Sequence, residues 1–109
     1  MFDINGSTIR LTRGDTLYLK ITLSKDGEAF TPDDSDTIRF AMKQSFSDVG
    51  WLLMREIHPS SGDIILEIKP EDTKKLSFGT YKYDLALVDS NERVSTFVIG
   101  DFIVTEEVY

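Results

Sequence analysis

The sequence predicts an all-β fold: an immunoglobulin-like antiparallel sandwich of about seven strands, forming one domain over residues 1–109. The first observation is a period of two. In residues 17–23, for example, leucine or isoleucine alternates with Tyr18, Lys20 and Thr22, which is typical of a strand buried on one face. The second is the regular placement of short polar loops, at intervals of roughly 12 residues. The third is size, because a 109-residue chain with 40% apolar residues can bury a core without disulfides.

Each predicted strand ends at residues that favour turns. In chain order, the expected strands cover residues 8–12, 17–24, 38–43, 51–57, 64–69, 82–88 and 94–108. The turn segments between them are 13–15, 25–28, 31–36, 58–63 and 89–92, all of which contain Gly, Asp, Asn or Pro. A short helical turn is expected at 70–76, because Pro70 suits the first turn of a helix and Glu71 and Asp72 suit its N-terminal dipole.

The last predicted strand is long and contains Gly100-Asp101 near its middle. Placing Phe97 and Ile99 on the same face as the apolar residues that follow requires one extra residue at this break. We therefore predict a β-bulge at Gly100, where glycine suits the positive φ that some bulges adopt.

Composition excludes several classes of function. The chain carries 19 acidic and 12 basic residues, a net charge of −7, and such a surface repels nucleic acid, whose binding needs clustered Lys and Arg. No apolar run reaches the roughly 20 residues of a membrane helix, so we expect no membrane partner. The start, Met1 to Gly6, lacks the basic and apolar regions of a secretion signal. The absence of cysteine excludes disulfides, thiolate nucleophiles and cysteine-ligated zinc.

A structural corner is predicted where the short helix leads into a strand. In immunoglobulin-like sandwiches a tyrosine at this place donates a hydrogen bond to upstream backbone. Tyr81 occupies that position, Tyr83 the inward position two residues later, and Gly79 the entry to the strand.

Four segments together resemble a known family. They are LTRGDT at 11–16, PEDTKKL at 70–76, GTYKYDLAL at 79–87 and STFVIGDFIV at 95–104. Their order and spacing resemble the immunoglobulin-like domain of phage and prophage tail and baseplate proteins, in particular the N-terminal domain of baseplate upper proteins from phages of low-GC Gram-positive bacteria. Residues 44–63 match no part of this pattern.

The resemblance implies a non-catalytic structural module that docks to other tail or baseplate proteins, with homo-oligomerisation as a further expectation. It also implies location in the virion tail, after assembly in the bacterial cytoplasm. Because exposed strand edges recruit strands from other chains, the last strand over 94–104 is the candidate edge, with Val94, Thr96 and Val98 as the candidate interaction residues. Val98→Pro is expected to leave a folded monomer that no longer assembles.

The alternative function is a carbohydrate-binding or host-surface-binding module on the same scaffold. Such sites expose aromatic side chains, and Tyr18 and Trp51 are the candidates. Trp51 belongs to an apolar cluster at 51–54, which fits either the core or an exposed anchor for a partner.

We expect no enzymatic activity, cofactor or metal, although several motifs invite such hypotheses. Residues 13–15 form the tripeptide that integrins bind, but short motifs match by chance, and a tight turn between strands is the better explanation. Residues 33–36 offer carboxylates to calcium without the glycine and final glutamate of a calcium loop. His58 lies near Ser60, Ser61 and Asp63, yet one turn rarely arranges a catalytic triad. No carboxylate pair is singled out for glycoside cleavage.

Overall fold

A computed structural model describes residues 2–5, 7–25, 27–45, 50–59 and 64–106, without the side chains of residues 2–5, 24, 25, 29 and 30. The strands of this part are β1 (Phe2–Asn5), β2 (Thr8–Thr12), β3 (Leu17–Ile21), β4 (Leu23–Lys25), β5 (Glu28–Phe30), β6 (Thr37–Lys43), β7 (Leu53–Ile57), β8 (Ile64–Ile68), β9 (Gly79–Val88) and β10 (Val94–Thr105). The helix α1 (Pro70–Lys74) lies between β8 and β9.

The larger of two facing sheets has six strands in the order β1-β2-β10-β9-β6-β7. Its neighbouring strands are antiparallel except β2 and β10, which run parallel. The long strand β9 lies at the centre of this sheet, where Tyr83 is opposite Met42 of β6 on one side and Gly100 of β10 on the other.

The smaller sheet pairs β3 with β8 in antiparallel register. Its inward side chains, among them Leu17 and Leu66, join those of the six-stranded sheet, among them Phe40 and Phe102, in one buried cluster. Two layers with a shared core define a β-sandwich. The order β10-β9-β6-β7 opposite β3-β8 matches the G-F-C-C′ and B-E strands of an immunoglobulin-like domain.

The predicted all-β sandwich and the helix at 70–76 are confirmed, while two details of the prediction are corrected. One strand pair, β2 with β10, is parallel. The described chain also has more strands than the seven predicted, because β1 pairs with β2 and because Thr22 separates β3 from the β4–β5 hairpin.

A β-bulge interrupts β10, but between Thr96 and Val98 and not at Gly100 as predicted. Val98 packs against the core, whereas Phe97 and Ile99 are exposed. The expectation that Phe97 and Ile99 share the inward face is therefore wrong. The reason is the register: Ile99 lies directly opposite Asp84 of β9, whose side chain faces outward. Opposed residues occupy the same face of a sheet.

Gly100 is required for space. It lies opposite Tyr83 in regular register, and a Cβ at this position would lie 2.3 Å from the carbonyl oxygen of Ser7 in the turn before β2. Only glycine permits so close an approach of a second backbone segment.

Candidate functional site

The predicted corner is present at the start of β9. The buried Tyr81 donates a hydrogen bond from its hydroxyl to the carbonyl oxygen of Ser77, four residues upstream, at 2.6 Å. Gly79 has a φ of 144°, which side chains disfavour, so glycine suits the entry to the strand. This corner attaches the segment after α1 to the six-stranded sheet.

Tyr83 lies inside the sandwich, as predicted. Its ring centroid is 5.7 Å from that of Phe40 and 6.3 Å from that of Phe102. Its hydroxyl donates a hydrogen bond to the carbonyl oxygen of Ser7, so a buried polar atom has its partner. Burial raises the pKa of Tyr83 above its ordinary value of 10.0, because desolvation disfavours the phenolate.

The Arg13-Gly14-Asp15 segment is a turn tied to the domain. Arg13 donates to the carbonyl oxygen of Leu76 at 3.1 Å, and its guanidinium lies 4.4 Å from the ring centroid of Phe78. Gly14 donates its N–H to the hydroxyl oxygen of the fully buried Thr73 at 2.9 Å. These contacts occupy the arginine that an integrin would need and support a structural role for the tripeptide.

The helix α1 is attached to strand β7 of the six-stranded sheet through Asp72. Asp72 is buried, and its carboxylate accepts the backbone N–H of Lys69 at 2.8 Å and pairs with Arg55 of β7. Such a carboxylate stabilises the helix start and compensates the buried charge with hydrogen bonds. Asp72 therefore links the start of α1 to β7 of the six-stranded sheet.

Of the remaining motifs, the structure describes the acidic loop at 33–36 completely. The Asp36 carboxylate accepts the backbone N–H of Asp33 at 2.9 Å, so it is used within its own loop. Among the described residues no group of three or more His, Cys, Asp or Glu side chains is placed to hold a metal ion. Ser60, Ser61 and Asp63 lie outside the described residues.

The two candidate aromatic residues lie on opposite sides of the sandwich. Tyr18 is 59% exposed on β3 and alternates with the inward Leu17, so it faces outward from the two-stranded sheet. Trp51 is 55% exposed and lines a shallow pocket of about 90 Å³ with Ala41 and Asp84, on the outer face of the six-stranded sheet. One small ligand cannot contact both rings.

Strand β10 has one side only partly covered. Strand β2 pairs with Phe102 to Thr105, and no strand of the described chain pairs with residues 94–101 on that side. The candidates Val94 and Thr96 are exposed there, whereas the side chain of Val98 faces the core.

One hydrogen bond shows to which side of β10 each backbone N–H and C=O group points. The carbonyl oxygen of Thr105 accepts the N–H of Arg13, directly after β2, at 3.0 Å. Peptide groups point to alternate sides along a strand. The N–H and C=O of Ile99 therefore point to the uncovered side, and those of Val98 point to β9.

An apolar groove of about 300 Å³ lies between this side of β10 and strand β3. Its apolar walls are Ile9 of β2, Leu19 and Ile21 of β3, Leu85 of β9 and Val98 of β10. Leu19, Ile21 and Val98 are only partly buried although they pack against the core. The core is thus incompletely covered along an open strand edge.

The outer face of the six-stranded sheet holds two polar atoms that sequence reasoning did not single out. Arg39 Nε and Asp84 Oδ1 are shielded from solvent and have no hydrogen-bond partner within the described chain. Their outward positions follow from the alternation in β6 and β9, but their closeness depends on the register of the two strands. Ala41, opposite Asp84, and Ala86, opposite Arg39, are buried beside them.

No protein-family model matches the chain, and no curated protein matches it. Among the described residues, no helix is long and apolar enough to cross a membrane.

Proposed function

We propose that this chain is a non-catalytic interaction module that binds an extended segment of another protein by strand addition at residues 94–101 of β10. The observation that carries the proposal is the open side of β10 next to an apolar groove. Unpaired backbone groups on a strand edge bind extended peptides by main-chain hydrogen bonds, and adjacent pockets select their side chains.

The partner segment has a defined chemistry. Its backbone exchanges hydrogen bonds with Ile99, whose N–H and C=O point to the open side. Its apolar side chains enter the groove and cover Leu19, Ile21 and Val98, which the domain leaves partly exposed. Each buried methylene contributes about 0.8 kcal/mol, so two or three side chains supply affinity that the backbone contacts alone lack.

The biological setting is proposed from the resemblance of four segments to phage tail and baseplate domains. In that setting the partners are other tail or baseplate proteins, the location is the virion tail, and function requires no cofactor. The proposal places the module in an assembly of repeated chains, which are commonly symmetric.

Mass spectrometry of particles sedimented from the source culture after phage induction tests this setting. The chain is expected at a fixed ratio to tail components. Particles that form without it would reject the virion role.

The strand edge is tested in the same particles with Ile99→Pro, which removes the outward N–H without touching the ladder to β9. Ile99→Thr, which keeps that N–H, is the matched control. Loss of incorporation for proline alone supports strand addition, and equal incorporation of both variants rejects it. Val98→Pro is unsuitable, because Val98 packs in the core and its N–H faces β9.

A carbohydrate-binding function is supported by one observation, the exposed Trp51 beside a pocket. That pocket, about 90 Å³, is smaller than the roughly 300–1,000 Å³ of small-molecule sites. Because Trp51 is the single tryptophan, its fluorescence reports on this place directly. Unchanged emission on titration with glycans of the host surface would reject binding there.

A further inference from the structure

The outer face of the six-stranded sheet is built from two neighbouring rows of side chains. Directly opposed residues share a face, so the register defines these rows. The first row is Met54, Ala41, Asp84 and Ile99, and the second is Glu56, Arg39, Ala86 and Thr96. The bulge in β10 matters here, because it places Thr96 in the second row on the same face as Ile99.

The two rows are complementary in size and charge. On β6 the small Ala41 of the first row adjoins the large Arg39 of the second, and on β9 the larger Asp84 adjoins the small Ala86. Arg39 Nε and Asp84 Oδ1 are desolvated and unpartnered within the described chain. Both side chains are otherwise only partly buried, so their remaining polar atoms can pair with a side chain of opposite charge on another molecule.

A second copy of the same face supplies side chains of opposite charge. In a two-fold contact, residue i meets residue j and residue j meets residue i. With the axis running across the strands between the rows, the first row of one copy faces the second row of the other. Asp84 then faces Ala86 of the other copy, Arg39 faces Ala41, and each Arg39 lies in one row with the other copy's Asp84, on adjacent strands.

We infer that the outer face of the six-stranded sheet is a self-association surface, on which two copies of this chain pack face to face and exchange two Arg39–Asp84 ion pairs. Sheets packed in this way lie about 10 Å apart, which an arginine side chain spans together with an aspartate. Exposed apolar side chains extend the contact: Ile99 is 59% exposed, Trp51 55% and Val94 52%. An aromatic anchor with apolar neighbours around a partly buried Arg–Asp pair fits an interface, where aromatic residues and arginine are enriched.

This inference rests on the proposed function and deepens it, because it names a copy of the chain as one partner. The face and the open side of β10 are separate contacts. Strand addition uses the backbone of residues 94–101, whereas self-association uses side chains that project from the sheet. Both contacts can therefore exist in one assembly.

Sedimentation equilibrium with charge-reversed variants tests the inference. The wild-type chain is expected to dimerise, and Arg39→Asp and Asp84→Arg are each expected to weaken self-association about 100-fold, because two ion pairs are lost and each contributes roughly tenfold. An equimolar mixture of the two variants is the decisive sample. It restores Arg–Asp contacts in both places, so a one-to-one heterodimer of wild-type affinity is expected, which misfolded variants could not form.

Three outcomes would overturn the inference: a wild-type chain that stays monomeric at its solubility limit, single variants that dimerise like the wild type, or a mixture that stays monomeric. Failure of the proposed function gives a different result. If the wild type dimerises and the mixture restores dimers, but the chain is missing from sedimented particles, then self-association holds and the virion role does not. Incorporation of a monomeric wild type would instead support the virion role and reject self-association.

Discussion

Replacing Gly100 with alanine tests the closest approach between two segments of the sandwich. An added Cβ would lie 2.3 Å from the Ser7 carbonyl oxygen and 2.9 Å from its hydroxyl oxygen. Ordinary contact begins at 3.4 Å, so the turn before β2 must retreat by about 1 Å. The nearest atom belongs to the backbone, and a change of side-chain rotamer cannot relieve the overlap.

The expected loss of stability has two parts. Overpacking at a tightly packed position costs about 1–3 kcal/mol. Retreat of Ser7 also removes the hydrogen bond from the Tyr83 hydroxyl, which costs about 1–3 kcal/mol because that hydroxyl stays buried. Gly100→Ala should therefore reduce the free energy of unfolding by about 3 kcal/mol. For a domain of this size the Tm should fall by roughly 10–20 °C.

Thermal and urea unfolding followed by circular dichroism measures the effect. Gly50→Ala is the matched control, because Gly50 has a φ of 87° with open space around its Cβ position, so it probes backbone strain of about 1–2 kcal/mol alone. Tyr83→Phe should cost less in the Gly100→Ala background than in the wild type, since the hydrogen bond is already lost. Equal costs in both backgrounds, or a Gly100→Ala variant as stable as Gly50→Ala, would refute the reasoning.

Three further predictions concern other contacts. Burial raises the pKa of Tyr83 above 10.0 in the folded state, so its contribution to stability is complete below pH 10 and is lost as pH rises through the folded pKa. Urea titrations across this range should show a smaller alkaline loss of stability for Tyr83→Phe than for wild type. Parallel stability curves for the two proteins would contradict this prediction. Thr73→Val leaves the Gly14 N–H without its acceptor and should lower the free energy of unfolding by about 1–3 kcal/mol. Thr73→Ser keeps the hydroxyl and should lower it less. The reverse order would exclude the hydrogen bond as the cause. Glu92 has a φ of 61°, a backbone conformation that is strained for a residue with a side chain. Glu92→Gly should therefore raise the free energy of unfolding by about 0.5–1 kcal/mol, measured by chemical denaturation. A lower free energy of unfolding would show that the Glu92 side chain contributes more than the strain.

The parts of the fold that depend on local pattern were predictable. Alternation located the four strands at 17–24, 38–43, 64–69 and 82–88, because a strand buried on one face has a hydrophobic period of two in its sequence. The corner was predictable because it also depends on neighbouring residues: Tyr81 and Ser77 are only four residues apart, so their hydrogen bond is local.

The parts that depend on pairing were not predictable. Glycine in a strand indicates either a bulge or the close approach of another segment. The sequence favours a bulge at Gly100 because Ser7, the segment that approaches it, is distant in sequence. Simple alternation with Phe97 and Ile99 predicts an outward side chain for Val98, but the bulge between Thr96 and Val98 turns it inward.

The candidate surfaces were predictable only in outline. The open side of β10 was anticipated along its whole length, yet β2 covers Phe102 to Thr105 in a parallel pairing that no local signal announces. The alternation of apolar and polar residues in β6 and β9 is enough to place Arg39 and Asp84 on the outward face. Their unsatisfied atoms became visible only with the register between β6 and β9.

The parallel pairing of β2 with β10 determines how the domain responds to tension. Parallel neighbours have their starting ends together, so a pull applied to the start of β2 and the end of β10 slides the two strands past each other. Their hydrogen bonds, together with the one from Arg13 to Thr105, then bear the load at the same time. A hairpin such as β1–β2 would instead open one bond after another. The β2–β10 pair is therefore a mechanical clamp along its own strand direction, whereas pulling β10 away from β2 sideways would separate them easily.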